Sequence, residues 1–244
     1  MADVTLTLYG ATGVSTVTPR FDFTSGTVKV YVEEGYVKDL TSGVEDSIAL
    51  AVGEKLEYVC SNWDAITRID INSDKVSGDI SGWVLPATLV TFYVYNTGVS
   101  GDISGWVLPA TLVNFYVNST SVSYKSQGGA FTNVTNTLTK IDFDNCVLSS
   151  QQVDNVLADL VASGSISNQL DLAGTNKPPT IEGLKNKIIL DNRGWTVVIT
   201  AGRSVYASRP MFSRKRPELW TAAMAGEEEQ WLTTMASDVC VTIG

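Results

Sequence analysis

Histidine is absent from all 244 residues. Without an imidazole, the Ser-His-Asp and Cys-His nucleophile systems and every His-ligated zinc site are excluded. Cysteine is nearly as scarce: Cys60, Cys146 and Cys240 lie far apart and form no CxxC pair. An odd number of isolated thiols indicates neither a disulfide framework nor a four-cysteine metal site, and reduced thiols fit synthesis in a bacterial-type cytosol. No run approaches the roughly 20 apolar residues that a spanning helix needs. The opening Met1-Ala2-Asp3-Val4-Thr5-Leu6-Thr7 has neither the basic region nor the apolar stretch of a secretion signal. Cations are outnumbered, 17 Lys and Arg against 26 Asp and Glu, for a formal net charge of −9. Such a chain repels a phosphate backbone at long range. The expectation is no nucleic-acid partner, no membrane, no metal and no cofactor.

What the chain has is repetition. Residues 76–98 read VSGDISGWVLPATLVTFYVYNTG and residues 99–121 read VSGDISGWVLPATLVNFYVNSTS, identical at 19 of 23 positions. Weaker copies flank the pair. Upstream, Ile66, Ile69, Ile71 and Val76 match Leu89, Phe92, Val94 and Val99; the second twin supplies Leu112, Phe115, Val117 and Val122. After a small insertion come Leu138, Ile141, Phe143 and Leu148, and a degenerate copy holds Leu170 and Leu172. Alternation within each core segment implies one short strand per copy, with the large apolar side chains inward. Parallel pairing of neighbouring copies would stack those side chains into one core that no single copy can bury alone. Trp83 and Trp106 are expected to stack on the return side. Pro86 and Pro109 argue against regular helix there, so irregular or short 3-10 returns are expected.

Each full copy follows the spacing LxxLxLxx(N/C/T)xL, which resembles the leucine-rich-repeat family, whose period of about 20–29 residues brackets this one. The ninth slot holds Asp74, Thr97, Thr120 and Cys146, and the family's SGxIP turn is echoed by Ser77-Gly78-Asp79-Ile80 and Ser100-Gly101-Asp102-Ile103. The ending LDLAGTNKPPT…GWTVVI resembles the terminus of repeat proteins from gut bacteria and their phages. The resemblance implies an α/β-type solenoid, mostly β: a short leucine-rich-repeat-like parallel β ribbon with irregular and short helical returns and a β-rich N-terminal cap. The corresponding domains are residues 1–55 as the cap, 56–200 as the solenoid and 201–244 as a C-terminal extension.

The cap follows from alternation at Val4-Leu6-Leu8, Phe21-Phe23 and Val28-Val30-Val32, which implies a small antiparallel unit covering the first ladder strand. Ser149-Ser150-Gln151-Gln152 before Val153, Val156, Leu157 and Leu160 marks a capped helix that Gly164 ends. Thr180 follows a Pro pair and opens a second helix carrying Ile181, Leu184 and Ile188; Gly194 to Ile199 closes the ladder as a strand. In the extension, Arg203, Arg209, Arg214, Lys215 and Arg216 form a basic stretch. Pro217-Glu218 then begins an expected helix with Trp220 and Trp231. That segment either caps the fold or makes a subunit contact through the two tryptophans.

Strand alternation sends three columns outward, onto the concave strand face of such a solenoid. The first is Arg68, Thr91, Asn114 and Lys140; the second Asp70, Tyr93, Tyr116 and Asp142; the third Asn72, Tyr95, Asn118 and Asp144. Tyr supplies rigid area with a polar tip, so this column set is a platform for glycan or protein; Tyr and Thr are also good strand formers in their own right. The twins differ at Thr91/Asn114, Tyr95/Asn118, Asn96/Ser119 and Gly98/Ser121, and the first two of these pairs are outward positions. Asp142 and Asp144 share a face, as a glycoside hydrolase's carboxylates do, but nothing in the sequence raises the pKa of one of them. Asp74, Asp79 and Asp102 lack the ligand density of a calcium loop. Gly10-Ala11-Thr12-Gly13-Val14-Ser15-Thr16 lacks the lysine of a phosphate loop.

The resulting expectation is a non-enzymatic structural or recognition protein. An adhesion-type repeat without an export signal fits a surface-exposed component of a phage particle, assembled in the cytoplasm. It would contact a protein or glycan surface, itself or other virion subunits. A bacterial surface adhesin and an intracellular leucine-rich-repeat scaffold are the alternatives.

Overall fold

The computed structural model describes residues 3–11, 13, 16–72, 75–131, 133, 137–166 and 168–201. The fold below belongs to the unit that ends at Thr200. The expected C-terminal contact through Trp220 and Trp231, with its basic stretch, lies outside the described residues, as do Asp74 and Ser167.

The described chain is mostly β. In chain order its strands are β1 (Val4–Gly10), β2 (Thr16–Val17), β3 (Arg20–Phe23), β4 (Val28–Val32), β5 (Gly35–Asp39), β6 (Ile48–Ala49), β7 (Lys55–Cys60), β8 (Ile66–Asp70), β9 (Val76–Asp79), β10 (Thr91–Tyr93), β11 (Gly98–Asp102), β12 (Asn114–Tyr116), β13 (Ser121–Ser123), β14 (Lys140–Asp142), β15 (Gln169–Leu172) and β16 (Thr196–Ile199). Two helices, α1 (Ser150–Ser163) and α2 (Ile181–Asn192), follow β14 and β15. The strands form two open seven-stranded sheets and one two-stranded pair. One sheet runs β13-β11-β9-β1-β7-β4-β5; the other runs β16-β15-β14-β12-β10-β8-β3.

The second sheet is the expected parallel ribbon. Phe92 lies in register with Ile69 and Phe115, Phe115 with Ile141, Ile141 with Leu170, and Leu170 with Val197. Ile69, Ile71, Phe92, Val94, Phe115, Val117, Ile141 and Phe143 are all buried. Because the side-chain period is two, this one register fixes the other face as outward. Phe92 and Phe115 stack at 5.4 Å between ring centroids, and each such side chain contributes about 1.5–3 kcal/mol by leaving water.

The returns around Pro86 and Pro109 are irregular, as expected, but they are preceded by strands that were not. Each VSGD segment pairs in parallel with its neighbour, so β9, β11 and β13 build a second ribbon. The one 3-10 turn among the described residues, Trp63–Ala65, precedes β8. Gly101, at φ +119°, makes this ribbon possible: a Cβ there would meet the Asp79 carboxylate of the preceding copy at 2.2 Å. Tyr124 takes the corresponding position one copy later, and the ribbon stops at Ser123. From there α1 covers the ribbon's end. Asp159 accepts from Tyr124 Oη at 2.6 Å and from the amides of Gly128 and Gly129 at 3.1 Å each, and Asn155 donates to the Tyr124 carbonyl.

Nor do Trp83 and Trp106 stack. Trp106 packs edge-on against Phe92 and Phe115, and its indole N–H donates to the Ser81 carbonyl at 3.0 Å. The irregular stretches between ribbons are tied instead by a threonine in each copy. Thr88, Thr111 and Thr137 donate to the carbonyls of Ile66, Leu89 and Leu112, one copy earlier.

An antiparallel unit forms at the N-terminus as expected, with β1, β7, β4 and β5 paired in turn, but through β7 it runs to Cys60, past the expected boundary at residue 55. It joins both sheets: β3 pairs with β8, and β1 with β9. Both ribbons therefore begin on an antiparallel partner and present no open edge at that end. Helix α1 starts at a capping box, with Ser149 accepting from the Gln152 amide and Gln152 answering, and ends at Gly164 with φ 75°. Helix α2 starts at Thr180, whose amide and hydroxyl donate to Asp154 of α1. It carries Ile181, Leu184 and Ile188 as expected; Ile181 is 67% exposed, Leu184 and Ile188 are half-buried, and Leu190 is the large side chain of the helix that is buried.

Candidate functional site

Every position of the three expected columns lies on the outward face of the parallel sheet. Arg68, Thr91, Asn114 and Lys140 are in register, and so are Asp70, Tyr93, Tyr116 and Asp142. The third column continues the same ladder: the Val94 amide donates to the Tyr116 carbonyl and the Asn96 amide to the Asn118 carbonyl, which keeps Tyr95 beside Asn118. The Ser119 amide donates to the Asp144 carbonyl and carries that alignment one strand further. A left-handed residue after the third column turns the chain in four copies, at Asn96, Ser119, Asn145 and Gly174, with φ between 54° and 70°. The Asn96/Ser119 difference between the twins thus falls at a backbone position rather than on the face. At Gly174 the close approach adds to the left-handed φ, because a Cβ would meet Asn145 Oδ1 at 2.2 Å.

Three positions are less open than outward placement implies. Thr91, Asp70 and Asp142 retain only 8%, 4% and 7% of their surface. The carboxylates are covered by their own partners. Arg68 pairs with Asp70, which also accepts from Asn72, and Lys140 pairs with Asp142 at 2.8 Å.

The centre of the face is aromatic. Tyr93 and Tyr116 stack at 4.6 Å, with planes 25° apart. The Arg68 guanidinium lies over Tyr93 at 4.8 Å, and the Lys140 ammonium over Tyr116 at 5.0 Å. Parallel register produces this order, cation, ring, ring, cation, from residues 68, 93, 116 and 140. Tyr95 stands against the edges of both rings, at 6.0 and 6.3 Å. Burial raises the Tyr93 and Tyr95 phenols above their ordinary value, so both keep their protons and remain donors.

Carboxylates gather at one end. Asp171 lies beside Asp142 in register and extends the second column, and Gln169 and Thr196 extend the first. Asp171, in the Leu170-Asp171-Leu172 strand, joins the face beyond the twelve expected positions, and the same alternation marks it. Burial, then Asp171 and Asp142, push the Asp144 carboxyl above the usual carboxylate range. The sequence had shown nothing to do so, because Asp171 is brought near by register alone. Asp142 meanwhile accepts from the Asp144 amide at 3.1 Å.

The acidic turns have other tasks. Asp79 accepts from the Ser81 amide and Asp102 from those of Ser104 and Lys125, which holds the turns between ribbon strands. Among the described residues no three His, Cys, Asp or Glu side chains form a group that could hold a metal, and no helix is long and apolar enough to cross a membrane. A shallow groove of about 880 Å³ lies on the return side, between the turns that carry Trp83 and Trp106. None of the strand-face residues lines it.

Comparison with known proteins gave no match: no family model fits the chain, no curated protein aligns with it, and no solved structure matches it.

Proposed function

We propose that this chain is a leucine-rich-repeat-like solenoid that recognises another macromolecule through the outward face of its parallel sheet, without catalysing a reaction. The observation that carries the reading is the ordered stack of Arg68, Tyr93, Tyr116 and Lys140 across four strands. Two ion pairs and a ring stack fix these side chains before any partner arrives, so little conformational entropy is lost on binding. Aromatic and arginine side chains held in this way are typical anchors of protein contacts. The repeats support the solenoid assignment, since the first three copies each add one strand to each of two parallel ribbons and the later copies extend one of them. An extended sheet face suits broad contact better than enclosure of a small substrate. The setting we propose is the exterior of a phage particle, on the strength of the resemblance of residues 170–199 to repeat proteins of gut bacteria and their phages.

The test is the double variant Tyr93→Ala/Tyr116→Ala. Attachment to cells, or to a neighbouring subunit, should weaken by at least about tenfold, since anchors of this kind contribute more than about 1 kcal/mol each. Far-UV circular dichroism should be unchanged, because both rings lie outside the core. Unaltered attachment would remove the face from the proposal. Hydrolysis of a host glycan by the purified chain, abolished by Asp142→Asn, would overturn the non-enzymatic reading.

A further inference from the structure

The two stacked tyrosines have no free ring face. Tyr93 is covered on one side by Arg68 at 4.8 Å and on the other by Tyr116 at 4.6 Å, and Lys140 covers the far side of Tyr116 at 5.0 Å. A sugar laid on an aromatic side chain needs such a face for its C–H groups. What this pair offers outward is ring edges and phenol hydroxyls, with Tyr95 against the same edges. The charges select further. Both bracketing cations are already paired, with Asp70 and Asp142. Asp144 and Asp171 add two carboxylates with no salt bridge among the described residues; with the mutually paired Arg20 and Asp22 of β3 on the same face, three cations stand against five carboxylates and these residues sum to −2. An anionic glycan is repelled by that surplus.

Within the recognition role proposed above, we infer that this face takes a basic, hydrogen-bond-donating segment of a protein rather than a glycan. Lys or Arg side chains meet Asp144 and Asp171, and main-chain or side-chain donors meet the phenol oxygens of Tyr93, Tyr95 and Tyr116. Asp171 continues the column of Tyr93 and Tyr116, and Asp144 that of Tyr95, so one extended segment crossing the ladder reaches both carboxylates and hydroxyls. Neighbouring strands about 4.8 Å apart match the span of such a segment to a few residues.

The probe is a synthetic peptide of repeated Arg-Gly-Ser, titrated calorimetrically into the full chain. Chitohexaose, cellohexaose and hyaluronan oligosaccharides are the competing ligands. The peptide should bind, and its affinity should fall as salt rises, because exposed charges are screened over about 8–10 Å at physiological ionic strength. Asp144→Asn/Asp171→Asn should weaken it about tenfold or more, since each lost charge-assisted contact accounts for a several-fold change. The Asn side chain keeps the acceptor oxygen that holds the Ala173 amide at 3.0 Å, so the fold is retained. Tyr93→Phe/Tyr116→Phe, which keeps both rings and removes only the hydroxyls, should weaken it by about fivefold or more.

No peptide binding, or binding indifferent to salt and to both double variants, overturns the inference. So does oligosaccharide binding that survives the Phe substitutions. The two proposals fail separately. Attachment lost in the Tyr→Ala variant but kept in the Tyr→Phe and Asp→Asn variants preserves the recognition face and removes the basic-segment partner. Attachment kept in the Tyr→Ala variant removes both.

Discussion

Replacing Asp159 with alanine tests how the short ribbon is terminated. The carboxylate sits on α1, 7% exposed, and accepts from the Tyr124 hydroxyl at 2.6 Å and from the amides of Gly128 and Gly129 at 3.1 Å each. Tyr124 is itself fully buried, and its phenol is raised well above the ordinary value by burial first and Asp159 second. Asp159→Ala leaves one buried hydroxyl and two partly buried amides without their acceptor. A buried donor without a partner costs about 1–3 kcal/mol, and water reaches the two glycine amides more readily than the hydroxyl. The total expected is about 3–5 kcal/mol, a large share of the roughly 5–15 kcal/mol that holds a domain folded. Tyr124→Phe removes only one donor and leaves the carboxylate its two amides, so it should cost about 1–2 kcal/mol. Urea unfolding followed by tryptophan fluorescence measures both, and the double variant gives the coupling, expected at about 1–3 kcal/mol. If Asp159→Ala were no worse than Tyr124→Phe, the carboxylate would not be what fastens α1 to the end of β13, and the account would fail.

Three further outcomes follow from the same contacts. Glu34, at φ 66° in the turn between β4 and β5, occupies a left-handed position that favours glycine. Glu34→Gly should therefore stabilise the protein by about 0.5–1 kcal/mol, read as a rise of about 1–4 °C in Tm. The Asp144 carboxyl is raised by burial and by Asp171 and Asp142. The folded state thus holds that proton more tightly than the unfolded chain, and stability is lost as pH rises from the ordinary carboxylate range through the raised value. Asp144→Asn should raise Tm at pH 7 and leave it nearly unchanged at pH 3; a uniform shift at both would contradict the assignment. Finally, Cys60 and Cys146 are buried, and burial pushes their thiols up to about 12 and about 11. Neither should react with a disulfide reagent at pH 8 in the native protein, and both should after denaturation, when the label can be mapped by mass spectrometry.

The parallel ribbon was legible because its signal is local and repeated. Phe92 and Val94 recur as Phe115 and Val117 with one spacer, and a period of two admits only one choice of buried face. The same rule placed the twelve outward residues in their columns. Helix α1 was legible from its ends, since Ser149, Gln152 and Gly164 are cap residues whose chemistry acts within a few positions. The sequence by itself therefore determined the order of the parallel strands from β8 to β16 in one ribbon, its inward face and twelve of its outward positions.

The tertiary structure decided whatever depends on groups far apart in the chain. The VSGD segments have no alternating pattern long enough to mark a strand, and they become one only because Gly101 lets the backbone close on Asp79 of the copy before. The ribbon ends where Tyr124 finds Asp159, 35 residues away. Trp106 left its expected partner because Phe92, Phe115 and the Ser81 carbonyl offered both ring contact and a hydrogen-bond acceptor. Asp171 reached the acidic end of the face through strand register, 29 residues beyond Asp142. Spacing along a chain fixes which residues can share a face; which of them touch, cover one another or shift one another's protonation is set by distances that exist only once the strands have paired.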